Sequence, residues 1–281
     1  MIKNKISTLL LTAIFSTYSV NLFSQETPEA ISNKQLIEQS SQNLNTFAKD
    51  VLGTNQNSTF SFYLPNYFAF GKDDLKLQFS GKYRVAKNAN IYLAYTQLMF
   101  WHIYDASMPF EEINYNPEFF YRILEDQTNY LRSLDIGVLH TSNGEDGAIS
   151  RSINRAYVKL NGVRKIDRFN LITLLQFHYI FNRDSQSEHI HDYLGYWDLK
   201  MAITHLITHN KQHLDLEFRI YAGKRFFNFD KGAREIGLLY NFESENFNPN
   251  IYFQYFSGYG ENLLFQNKKQ ESYRLGLSLS I

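Results

Sequence analysis

Two short stretches, His140-Thr141-Ser142-Asn143-Gly144 and Ser150-Arg151-Ser152-Ile153-Asn154-Arg155, bring together a nucleophile, a base and an amide able to orient that base. Positions i and i+2 of an extended strand project from one face, so His140 and Ser142 lie side by side if 139–143 is a strand. Asn154 reaches the same face from the returning strand. A serine hydroxyl is a weak nucleophile until an imidazole takes its proton, and the imidazole needs a third group to fix its tautomer and orientation. The Asn carbonyl oxygen supplies that without the charge an Asp would bring. The pattern predicts a serine hydrolase site on a β-hairpin, whereas a His-x-Ser pair standing alone is usually just the polar face of a strand.

The elements that must position these residues are strands. Leu75-Lys76-Leu77-Gln78-Phe79-Ser80 alternates apolar and polar residues, as do Tyr157 to Leu160, Leu214 to Arg219 and Tyr273 to Ile281. Turn chemistry separates the runs at Lys87 to Asn90, Glu125 to Asn129, Asn161-Gly162, Asn182 to Asp184, His209 to Lys211 and Asn246 to Pro249. The chain holds 24 Phe and 20 Tyr among 281 residues, yet its mean hydropathy is negative. A transmembrane barrel reconciles the two, because one face of every strand is apolar while the other is polar, and aromatic girdles absorb the rings. Composition alone fits a soluble, aromatic-rich β-sandwich equally well. The expected fold is all-β, a transmembrane antiparallel β-barrel of about 12 strands.

At the N-terminus, Lys3 and Lys5 precede the mainly apolar run Ile6 to Phe15, and small or polar residues continue to Ser24-Gln25. This is the layout of a secretory signal peptide, which tips the choice toward an exported membrane barrel. The expected organisation is a signal peptide over 1–24, a polar periplasmic lead-in over 25–58, and the barrel over 59–281. No later stretch approaches the roughly 18 apolar residues of a spanning helix. Cysteine is absent, which excludes disulfide and thiolate chemistry. Lys+Arg and Asp+Glu balance at 28 each, so nothing points to nucleic acid. His189, His191 and Asp192 could imitate a metal site, but they read as a solvated loop, as do His205, His209 and His213 around a turn.

The sequence resembles the outer membrane phospholipase A family through five ordered blocks: Ala94-Tyr95-Thr96-Gln97 with Trp101; Ser107-Met108-Pro109-Phe110 with Asn114-Tyr115 and Pro117-Glu118; His140 to Gly144; Ser150 to Arg155; and Gln254 to Glu261. The resemblance implies an outer-membrane phospholipase acting on phospholipid acyl esters, with Ser142 as nucleophile, His140 as general base and then acid, and Asn154 orienting His140. It places the triad on the lipid-facing wall. Physics agrees, since the lumen of a narrow barrel is filled with side chains and cannot admit a two-chain lipid.

The resemblance also implies calcium (Ca2+), with Ser150, the backbone carbonyl of Glu145 and Ser107 of the partner subunit as ligands, and hence a calcium-promoted homodimer. Gly144 is a candidate oxyanion donor through its backbone N-H, or simply a turn glycine. Gln97 matches a dimer-interface position, or is a polar residue with no part in assembly. Three positions depart from the family pattern: Met108 where a second Ser is common, Glu111 where Arg is common, and Glu145 where the loop often has Arg. They make the site more acidic. Two other readings stay open, an inactive porin-like or structural barrel and a hydrolase of lipopolysaccharide acyl chains.

Overall fold

The computed structural model describes residues 59–86, 89–126, 129–209, 212–242 and 248–280, so the expected signal peptide and lead-in lie outside the described residues. Its strands are β1 (Phe60–Phe62), β2 (Asn66–Phe70), β3 (Leu75–Ala86), β4 (Ala89–Trp101), β5 (Phe110–Glu125), β6 (Leu131–Ser142), β7 (Ser152–Ile166), β8 (Phe169–Arg183), β9 (Trp197–His209), β10 (Gln212–Ala222), β11 (Gly232–Asn241), β12 (Asn248–Gly258) and β13 (Gln270–Ser280). Each pairs antiparallel with its neighbour in the chain from β2 onward, and β13 returns to pair with β2. The short β1 runs beside β3 where β2 leaves off. A proline, Pro65, stands in the gap between β1 and β2, where it withholds no ladder donor. The result is a closed barrel of twelve strands, as the alternation predicts. Closure satisfies the backbone in lipid, which an open sheet could not do.

Burial along the strands is inverted relative to a soluble protein. On β3, Lys76, Ser80 and Lys82 are buried while Phe79 and Tyr83 are exposed; on β6, Ser133, Asp135 and Thr141 are buried while Ile136 and Val138 are exposed. The polar face therefore lines the lumen and the apolar face is turned outward, as a membrane barrel requires. Several of the charges inside are paired. Arg122 donates to Asp135 at 2.7 and 3.1 Å, and Arg219 donates to Asp198 at 2.8 and 3.1 Å. Lys76 donates to Gln254 and Glu261 at 3.1 Å each, and Arg274 grips Asp74 at 2.9 and 2.7 Å while also reaching Glu261.

The Gln254 to Glu261 block thus has a structural explanation. Glu261 lies in the β12–β13 loop, which folds back over one end of the lumen so that Leu263 packs with Ile153, Ile180 and Ile190. Burial pushes the Glu261 carboxyl up, but Lys76 and Arg274 beside it outweigh that and hold it below its ordinary range.

Three expectations need correction. Asn161-Gly162 is not a turn: both residues lie within β7, where buried Asn161 donates to Ser133 Oγ at 2.7 Å, and the chain reverses instead at Asp167-Arg168. Turn chemistry was overridden by a lumen hydrogen bond. At the 246–249 turn, Asn248 and Pro249 already belong to β12 and the preceding residues lie outside the described ones. His205 and His213 are strand residues on β9 and β10 rather than loop residues, and His213 is buried.

Candidate active site

The hairpin of β6 and β7 sets the geometry. His140 pairs in register with Asn154, and Ser142 pairs with Ser152. Ile136 and Val138 precede His140 and Ser142 on the exposed face of β6, while Val158 marks the same face of β7, so His140, Ser142 and Asn154 share the outer wall. His140 Nδ1 and Asn154 Oδ1 are 2.9 Å apart. Because the amide oxygen can only accept, Nδ1 carries the proton and donates it, which leaves the lone pair on Nε2. Ser142 sits two residues along the same face. A base with its tautomer fixed and a hydroxyl two residues along the same face are the components that nucleophilic acyl transfer uses.

The loop between the strands is clasped by Asn143, which is buried. Its amide donates to the Ile149 carbonyl at 2.8 Å, and its Oδ1 accepts from Arg151 N at 2.9 Å. Gly144 follows with φ +72°, a conformation that side chains rarely adopt, and a Cβ there would come within 3.1 Å of the Tyr115 ring. Glu145 is exposed, and Ser150 donates from its hydroxyl to Asp184 Oδ2 at 3.1 Å. Ser107 is exposed on the β4–β5 loop, which is shaped by Trp101 donating to the Met108 carbonyl and stacking on Phe110. Met108 itself has φ +45°. Glu111, one of the departures, lies 3.5 Å from His102 at the base of this loop. Gln97 stands on the outer wall between Phe79 and Tyr115, with its amide oxygen accepting from Tyr95 at 3.3 Å.

The structure therefore brings His140 and Asn154 into direct contact, with Ser142 and Gly144 adjoining them, and leaves Ser107 on a separate loop of the same barrel end. Three neighbours had no role in the sequence reading. Tyr115 is the register partner of Ser142 on β5 and walls the site beside Gly144. Ser152 is a second hydroxyl opposite Ser142, and Asp184 brings a carboxylate to Ser150. Strand register alone reveals the first two, and Asp184 comes from the end of β8, too far along the chain for any local pattern.

A closed barrel with a polar lumen, an apolar outer wall and a His–Asn pair on that wall defines the class: an integral membrane β-barrel with hydrolase-type side chains facing lipid. The phospholipase A1 family model matches residues 28–279. Phospholipases A1 from Salmonella typhimurium and Escherichia coli K12 are each 29% identical over 222 residues, covering 74% of this chain and 70% of theirs. The crystal structure of the Salmonella typhi outer membrane phospholipase dimer with bound calcium superposes with a TM-score of 0.68 at 25% identity, covering 82% of this chain and 97% of that one. The Escherichia coli outer membrane phospholipase A shares the fold, with a TM-score of 0.66 at 23% identity and the same coverage. The chain belongs to the phospholipase A1 family.

Proposed function

We propose that the chain is a calcium-dependent outer-membrane phospholipase that hydrolyses the acyl esters of glycerophospholipids, with A1, A2 and lysophospholipase activity, through Ser142, His140 and Asn154. The observation that carries this reading is the 2.9 Å contact from His140 Nδ1 to Asn154 Oδ1, with Ser142 next on the same lipid-facing wall. Ser142 Oγ attacks the ester carbonyl carbon while His140 Nε2 takes its proton. The resulting oxyanion faces the Gly144 N-H, whose positive φ turns that backbone without a side chain in the way. Collapse expels the glycerol oxygen, to which His140 returns the proton. Water, deprotonated by the same Nε2, then releases the fatty acid from the acyl-serine. Asn154 holds the ring in one tautomer throughout.

The donors around the 143–151 loop are oxygens, and the Asp184 carboxylate flanks Ser150. That set suits a hard cation. Ser150, the Glu145 carbonyl and Ser107 of the partner subunit would hold calcium, which when bound supplies positive charge beside the oxyanion. Gln97, on the outward face among aromatic rings, would pair across the dimer where hydrocarbon offers it no competitor. Export through residues 1–24, a periplasmic stretch over 25–58 and insertion of 59–281 in the outer membrane complete the reading. A porin-like role fits poorly with a lumen lined by buried ion pairs and covered at one end by the β12–β13 loop. The test is fatty-acid release from phospholipid by purified protein in detergent, with calcium and with chelator. Release that needs both calcium and Ser142 is the expected result. Equal release by Ser142→Ala overturns the triad, and no release under any condition overturns the activity.

A further inference from the structure

The opposite end of the barrel carries a second set of ligand-type side chains that lipid hydrolysis does not use. Between Leu214 and Leu216 the register of β10 against β9 slips: Leu214 faces Ile207 but Leu216 faces Ile203. Asp215 alone therefore spans Thr204, His205 and Leu206. Such bulges re-aim side chains. Here His205 takes φ +60° and donates its backbone N-H to Asp215 Oδ1 at 2.8 Å. Its ring then stacks on that of His213, with centroids 4.2 Å apart and planes at 16°.

One donor atom from each of His205, His213 and Asp215 falls within 4.8 Å of the other two. His213 Nε2 is 3.7 Å from Asp215 Oδ1, close to the roughly 3.4 Å that separates two ligands on a tetrahedral zinc. Asn241 on β11 supports the set, donating to Asp215 Oδ2 at 3.2 Å and to the His213 carbonyl at 3.4 Å. Bracing of this kind fixes ligand orientation in metal sites. Asp215 is 0% exposed, and among the described residues no Lys or Arg forms an ion pair with it. A buried carboxylate so placed is neutralised by a proton or by a bound cation.

We propose that His205, His213 and Asp215 form a site for a borderline divalent transition-metal ion, with zinc as the probe, near the β9–β10 turn. Two imidazoles and one carboxylate select such ions over calcium, which prefers all-oxygen ligands. The site ties two strands at the end of the lumen remote from the 143–151 loop. Its occupancy is independent of the calcium chemistry proposed above.

Tag-free protein in detergent, stripped with chelator, is titrated with zinc alone by calorimetry, and retained zinc is counted after gel filtration. One zinc per chain is expected at neutral pH. His213→Ala should weaken binding at least about a hundredfold, since even outer bracing residues are worth ten- to a hundredfold. His205→Asn removes the imidazole while tolerating the left-handed backbone, so it keeps the test valid if His213→Ala does not fold. A wild-type protein that retains no zinc overturns the proposal, as does zinc bound equally well by His205→Asn and His213→Ala. Calcium-dependent fatty-acid release should be unchanged in His205→Asn, which separates this site from the lipolytic one.

Discussion

At the residue scale the proposed mechanism divides the labour among three side chains on two neighbouring strands. Ser142 must form the covalent bond, so Ser142→Ala is expected to lower fatty-acid release by roughly 10⁴-fold or more, with the barrel still folded by heat-modified gel mobility. Ser152 lies opposite but has no oriented base of its own, so Ser152→Ala should retain most activity. Asn154 only positions His140, and orienting residues are worth less than the nucleophile they serve. Asn154→Ala should therefore keep turnover clearly above that of Ser142→Ala, and Asn154→Asp should keep more still, because its carboxylate accepts from the same Nδ1-H. Equal losses in Asn154→Ala and Asn154→Asp would show that the 2.9 Å contact does not orient the base. His140, Ser142 and Asn154 were legible in the chain because period-two alternation places i and i+2 on one face. Tyr115 and Asp184 were not, because their proximity depends on strand register and on a loop more than thirty positions away.

At the element scale the hairpin loop is the sensitive part. Gly144→Ala would incur roughly 1–2 kcal/mol of backbone strain and would press against Tyr115, so it should reduce activity more than it reduces stability. A thermal melt beside the rate measurement checks that order. Calcium ligands drawn from the 143–151 loop and from the partner's β4–β5 loop would couple metal binding to association, and the coupling must be equal in both directions. Calcium should therefore raise the dimer fraction in detergent, and Ser150→Ala and Ser107→Ala should each raise the calcium needed for activity. Sedimentation across a calcium titration tests this; full activity in a species that stays monomeric would overturn the shared site. Strands were readable from alternation, but their ends were less so. Asn161-Gly162 has turn chemistry and still lies inside β7, because Asn161 finds Ser133 and Asp135 in the lumen. His205 and His213 read as solvated near a turn for the same reason: burial by the partner strand is invisible in a local window.

At the scale of the whole molecule, ring closure depends on the short strand β2. It makes five residue pairs with β13 and four with β3, so the β2–β13 seam is short beside the eleven pairs of β12 and β13. Gly276 lies on that seam, and a Cβ there would come within 1.9 Å of the Phe68 carbonyl oxygen. Gly276→Val should splay the seam and lower the denaturant midpoint of the heat-modifiable form; an unchanged midpoint would show that the seam relaxes freely. The buried ion pairs lining the lumen and the β12–β13 loop folded over its end predict a second property, that planar bilayers containing the protein show no porin-sized conductance steps.

The outward face of His140, Ser142 and Asn154 has a kinetic meaning. A lipolytic site so placed would sample a film rather than a volume, so the concentration it would respond to is the fraction of neighbouring molecules that are phospholipid. Diluting phospholipid with inert detergent at constant bulk concentration should slow the protein in proportion, while diluting the whole suspension with buffer should leave each molecule's rate unchanged. A soluble esterase drawing its substrate from water would show the reverse, because for it the aqueous volume is the reservoir.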